Sequence, residues 1–269
     1  MHYYETAYDT ENYSESFKEI RKEWISNYIL LIPLVAIIAV VLLVLFNKYA
    51  ANLNKKTQLK KGRKTFWEEL VYANHLILHP FDGFWDLKHE QRGSVRAALV
   101  WLALAVLTFY YQDVGTGYIF DPRQESQTIL VQLAAVAVPV ILWTVANWCL
   151  TTLFDGEGSL KDIFVATCYS LVPLPILIIP SVLYSNVALV NEGTIVNLLV
   201  SFAFIWAGLL IFFGMMVTHD YTFTKNILTS LGTIVGMALI MFIGVLFSAL
   251  LAKIVSFISG IITEITFRM

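Results

Sequence analysis

The sequence predicts an all-α fold, a polytopic transmembrane helix bundle with six spans, and three observations carry that prediction. Six long windows contain no Asp, Glu, Lys or Arg. Charged residues make up only 14% of the chain against 58% hydrophobic, where a soluble domain carries roughly 25% charged residues. The Lys and Arg residues are also unevenly divided among the connections between windows, as they are in membrane proteins of fixed orientation.

Each window is long enough to act as a membrane span. A helix rises about 1.5 Å per residue, so about 20 mainly apolar residues cross a hydrocarbon layer of roughly 30 Å. The windows run Trp24 to Asn47, Ala97 to Gln112, Ser126 to Phe154, Ile163 to Asn191, Gly193 to Thr218 and Asn226 to Ala252. The second is short. Val95 and a snorkelling Arg96 extend it at one end, and Phe109, Tyr110 and Tyr111 suit an interfacial aromatic belt at the other.

These windows divide the chain into an amino-terminal tail (1–24), an anchor helix (25–47), a basic and amphipathic linker (48–78), a five-helix membrane domain (79–252) and an amphipathic carboxy-terminal tail (253–269). The first 24 residues are acidic and rich in tyrosine, without the basic start of a cleaved leader. In the last segment Ile254, Ile258, Ile261 and Ile265 recur at helical spacing among Lys253, Ser256, Ser259 and Glu264, the pattern of a helix lying in an interface.

Charge sets the expected orientation. Lys48, Lys55, Lys56, Lys60, Lys61, Arg63, Lys64, Lys88, Arg92 and Arg96 all fall between the first two spans, whereas the next connection holds only Arg123. The former connection is expected in the cytoplasm, with Lys161 and Lys225, and both termini outside.

Within that connection Phe66, Trp67, Leu70, Val71, Ala73 and Ile77 form a helical apolar face opposite Glu68, Glu69 and His75. An interfacial helix is expected there, and the preceding Lys and Arg residues would face anionic headgroups or simply hold the topology. Pro80 ends this helix, Asp82 and Gly83 favour a turn, and Phe81, Phe84 and Trp85 re-enter the interface.

The sequence offers little for catalysis. His75 and His79 stand one turn apart, but Leu76, Ile77 and Leu78 lie between them, without the glutamate of a metalloprotease helix. Neither a metal nor an organic cofactor is expected, and near-neutral charge gives no reason to expect nucleic acid. Cys149 and Cys168 lie at or inside apolar runs and read as buried thiols rather than a disulfide framework. Gly156-Glu157-Gly158-Ser159 lacks the length and the Lys of a phosphate loop. Its mechanical reading is a sharp turn with Ser159 and Asp162 capping the next helix.

The spans hold no carboxylate, Lys or Arg of the kind that marks an ion pathway. Gln132, Asn147, Tyr169, Ser170 and Thr229 read as interhelical hydrogen-bonding groups. Pro173, Pro175 and Pro180 break the fourth span, and with Asn147 they support a second functional reading, a small-molecule transporter or channel. Gly232, Gly236, Gly244 and Ser248 form a stripe at multiples of four, suited to close packing within the chain or to self-association.

Three segments resemble the Yip family, the Ypt/Rab-interacting membrane proteins, in a bacterial form. They are His79-Pro80-Phe81-Asp82-Gly83-Phe84-Trp85 with Arg92-Gly93-Ser94; Gly156-Glu157-Gly158-Ser159-Leu160-Lys161-Asp162 continuing to Tyr169 and Pro173; and His219-Asp220-Tyr221. The resemblance covers about His79 to Ala252 and implies a five-helix domain, with these residues as family-motif and partner-contact positions. It implies a non-catalytic scaffold or accessory subunit of a larger complex in a bacterial plasma membrane, with the bilayer and other membrane proteins as partners. Sugar-type ABC transporter permease subunits are the partners it suggests; eukaryotic relatives are linked to Rab GTPases and transport vesicles.

Overall fold

Backbone groups in hydrocarbon have no water to pair with, so a spanning segment has to satisfy them internally. The computed structural model does so with helices; it describes residues 2–29, 31–58, 64–123, 126–151 and 153–268. Of the basic cluster, Lys60, Lys61 and Arg63 lie outside the described residues. Among the described residues six helical segments are long and apolar enough to cross a membrane, in agreement with the predicted bundle.

Two short elements precede the first span, α1 (His2–Thr6) and α2 (Thr10–Tyr28), the latter capped by the Asp9 carboxylate accepting from the Asn12 amide at 3.1 Å. The first predicted window begins too early. Trp24 to Tyr28 belong to α2, and a separate helix α3 (Leu31–Gln58) makes the crossing.

The next two helices form a hairpin, α4 (Phe66–Leu78) and α5 (Pro80–His89), and correct two expectations. Asp82 and Gly83 do not form a turn. Pro80 has the fixed φ of a first helical position, Asp82 sits favourably in the first turn of α5, and Gly83 lets α5 approach α4. A Cβ at Gly83 would stand 2.8 Å from the Leu76 Cα. The buried side of α4 is Glu69, Val71, Tyr72, Ala73 and Leu76, while Phe66 and Trp67 are exposed. The predicted apolar face is therefore rotated, and the Glu69 carboxylate points inward because Ser94 Oγ donates to it.

The remaining spans begin close to the predicted windows. They are α6 (Val95–Gly115), capped by Ser94; α7 (Ile129–Thr151); a broken fourth span, α8 (Leu160–Ser170) and α9 (Pro173–Ser185); α10 (Gly193–His219); and α11 (Phe223–Arg268). The fourth span is the centre of the bundle, two thirds buried, with Ile163, Tyr169, Leu174 and Ile178 in the core against Leu102, Val140 and Leu210. Its break at Leu171 and Val172 is packed with apolar side chains.

α11 does not stop where a separate tail is expected. It is 46 residues long, about 70 Å at 1.5 Å per residue, more than twice the hydrocarbon thickness. Gly232 and Gly236 bring its first part against Leu150 and Ala146 of α7, so half of the small-residue stripe is used within the chain; a Cβ at Gly244 would meet nothing within 4 Å.

Long-range contacts place the amino-terminal helices at one end. Arg21 pairs with Glu192, and the Tyr118 hydroxyl donates to the Glu5 carbonyl at 3.0 Å. The α4–α5 hairpin and residues 156–159 and 219–221 occupy the other end.

Gly83→Ala is expected to lower the melting temperature of the detergent-solubilised protein, at a cost of about 1–3 kcal/mol for forcing a methyl group into a filled contact. Gly260→Ala, where an added Cβ meets nothing within 4 Å, is the matched control and should lose no stability.

Candidate functional site

The three motif segments meet. α10 ends at His219 because Asp220 adopts the left-handed conformation, φ 55°, which Asp tolerates better than most residues. The reversed chain stacks the Tyr221 ring on the His219 imidazole, with centroids 4.9 Å apart. Residues 156–159 lie on this pair so closely that a Cβ at Gly156 would stand 2.3 Å from the Tyr221 hydroxyl, and one at Gly158 2.8 Å from His219 Cε1. Both glycines are there because a side chain would not fit.

Hydrogen bonds fix the imidazole. The Gly158 N–H donates to His219 Nδ1 at 3.2 Å, so Nε2 carries the proton and donates to Asn147 Oδ1 at 2.7 Å. Asn147 Nδ2 in turn donates to Thr233 Oγ1 at 3.0 Å. Ser159 and Asp162 cap α8 reciprocally, as the sequence predicts, with Ser159 Oγ donating to Asp162 at 2.6 Å. Lys88 on α5 reaches Glu157 at 2.9 Å, which holds that carboxyl below the usual range, and burial pushes the Tyr221 phenol up.

Beneath the hairpin lies a buried polar cluster that sequence reasoning missed. Arg92, 2% exposed, donates through Nε to Glu90 at 2.8 Å, lies 3.4 Å from Asp86 and sits over the Tyr72 ring. The Tyr72 hydroxyl is 3.0 Å from Asp86, and burial followed by the Asp86 charge drives its pKa upward. Tyr169 Oη donates to the Glu69 carbonyl at 2.8 Å, fastening α8 to α4. Pro173 opens α9 at the break, and Lys161 is exposed on the first turn of α8. The one available signal was Gly93 beside Arg92: a Cβ there would stand 2.4 Å from Leu87 Cδ2, so the chain at Arg92 has to press into the hairpin.

Among the described residues, two openings of similar size lie at this end: one of about 420 Å³ between Lys64, Glu90, Ser94, Arg96 and Lys161, and a cleft of about 380 Å³ with aromatic walls. Phe81 and Trp85 form one wall, both about half exposed; Lys88, Glu157, Met216 and Asp220 form the other. The histidines do not converge on it. His75 stacks on His79, His89 stacks on Trp85, and His219 is buried. Among the described residues no three His, Cys, Asp or Glu side chains are placed to hold a metal ion.

A bundle of six apolar helices, with loops at one end that interlock through glycines, is that of a multi-pass membrane protein. The Yip1 domain model matches residues 74–246, more than half of the 269, and the chain belongs to that family. The matched region begins inside α4 and ends inside α11, so α1–α3 stand outside it. No curated protein and no solved structure matches the chain.

Arg92→Met leaves Asp86 without its buried counter-charge and should cost about 3–5 kcal/mol of stability. Glu157→Gln, which breaks an exposed pair, should lower the melting temperature far less; thermal melting of both variants checks the contrast. Burial, then the neighbouring His79, holds the His75 imidazole below its ordinary value. Its contribution is complete above about pH 6.5 and is lost as pH falls through the lowered folded value. Melting between pH 7.5 and 5.5 should therefore cost the wild type more than His75→Gln.

Proposed function

We propose that the chain is a non-catalytic scaffold or accessory subunit that organises a larger membrane complex, and that the cleft between Phe81, Trp85 and Asp220 is where a partner docks. One observation carries this reading: the motif residues of three distant segments are spent on holding one another, and what they present outward is a cleft with exposed aromatic walls. Exposed aromatic side chains around a pocket are typical of binding surfaces.

The charge of the cleft suggests the partner's chemistry. Glu157 is paired with Lys88 and Lys225 covers the Tyr221 ring, which leaves the Asp82 and Asp220 carboxylates beside the Trp85 ring, a lining suited to a Lys or Arg side chain. Cytoplasmic connections of membrane proteins are rich in Lys and Arg, so a basic juxtamembrane segment of another multi-pass protein fits. The basic connection between α3 and α6 supports a cytoplasmic position for this end in a bacterial plasma membrane, with both termini on the opposite side. Sugar-type ABC permease subunits, suggested by the family resemblance, are the first candidates. The packed break between α8 and α9 favours a scaffold over a conduit.

A photo-crosslinking residue at Phe81 should trap a discrete membrane protein in intact cells, and Trp85→Ala or Asp220→Asn should abolish the adduct. Failure to form any adduct would count against the reading. So would solute flux through proteoliposomes holding the purified chain alone, if Pro173→Ala stopped it.

A further inference from the structure

The anchor helix is held at its two ends and touches little in between. At one end the α2 helix grips the domain: Arg21 donates to both Glu192 carboxylate oxygens, at 2.6 and 2.9 Å, and to the Val187 carbonyl at 3.0 Å. The Val190 N–H donates to Ser14 Oγ at 3.2 Å beside this fork. A bidentate Arg–carboxylate pair fixes orientation as well as distance. At the other end Asn74 Nδ2 donates to Asn47 Oδ1 at 3.1 Å, and Ala50 is fully buried. Between these points every residue of α3 from Pro33 to Tyr49 is exposed.

The result is a groove of about 860 Å³. Trp24, Tyr28, Leu31 and Val35 line it on one side, Tyr184 and Val187 on the other. The Arg21 fork fixes the groove's walls at one end, and the α3–α4 contact holds the far end of the helix that lines it. Leaving it empty would forfeit the dispersion contacts of its whole lining. Water is no better, since a buried water needs two to four polar partners and this lining is almost wholly apolar.

Depth identifies the occupant. Trp and Tyr side chains concentrate at the headgroup level, and Trp24, Tyr28 and Tyr184 stand midway along the groove, with Phe17, Ile20 and Arg21 beyond them on one side and Leu31 and Val35 leading to the first span on the other. The volume falls within the roughly 300–1,000 Å³ of small-molecule sites. We infer that the groove holds a phospholipid as a resident structural ligand, its acyl chains wedged between the anchor helix and the Yip1 domain. The Arg21 guanidinium is already committed to Glu192, so the site selects the acyl chains and not the headgroup.

The test is phospholipid retained by the full chain after exhaustive washing in mild detergent, counted by native mass spectrometry. The wild type should keep about one phospholipid per chain, as expected for a single small-molecule-sized site, equally from phosphatidylethanolamine and phosphatidylglycerol membranes. Leu31→Trp and Val35→Trp fill the groove, and Arg21→Gln opens it; all three should reduce retention to background. Leu43→Trp, on the exposed length of the same helix, should not. Wild type without retained lipid, or groove variants that keep it, would overturn the proposal. Should the groove variants fail to fold, quenching of Trp24 fluorescence by brominated acyl chains replaces them, read as the difference between wild type and Trp24→Phe. Quenching that survives dilution into unbrominated detergent supports a resident lipid, and quenching that reverses at once overturns it.

Discussion

The hydrogen bond from the Gly158 amide to His219 Nδ1 is the contact on which the rest of the motif-bearing end depends. It fixes the imidazole tautomer, and the tautomer directs Nε2–H to Asn147, whose amide continues to Thr233. One buried chain of neutral groups thus joins the 156–159 loop, α10, α7 and α11. In lipid there is little hydrophobic drive to bring helices together, so close packing and satisfied polar contacts have to do it. Glycine makes each contact possible: Gly158 and Gly156 admit the His219 and Tyr221 rings, Gly214 admits Phe84, and Gly83 admits Leu76.

A second polar cluster works by different means. Arg92, Asp86, Glu90 and Tyr72 bring charge under the α4–α5 hairpin. Buried ion pairs contribute little net stability against a hydrophobic alternative, yet breaking one is costly. Such a cluster holds the hairpin in one position more than it adds to overall stability. The hairpin in turn supplies Phe81 and Trp85 to the cleft, so the position of the cleft is set by groups that do not line it.

The spans were legible in the sequence because hydrocarbon imposes a minimum uncharged length, and the windows after the first begin within about three residues of their helices, although the last helix runs well past its window. The Ser159–Asp162 cap was legible because its partners are three residues apart. Reading failed where the deciding contact is distant in the chain. Glu69 looked solvated until Ser94, 25 positions away, proved to be its donor. Arg92 has its acidic partners Glu90 and Asp86 close by in the chain, but its burial comes from the packing of the hairpin, and in the sequence it reads as a topological charge. Asp82-Gly83 has the composition of a turn, but Pro80 two residues earlier starts a helix, and the glycine serves a helix–helix contact. The motif residues were picked out by family resemblance alone, and their meeting at one end is a property of the fold.

Amide hydrogen exchange in the His219→Phe variant tests the central claim most directly. If the imidazole bond organises this end of the molecule, exchange should accelerate in residues 156–159 and also near Asn147 and Thr233, with the amino-terminal helices unchanged. Acceleration limited to the immediate neighbours of position 219 would contradict the account.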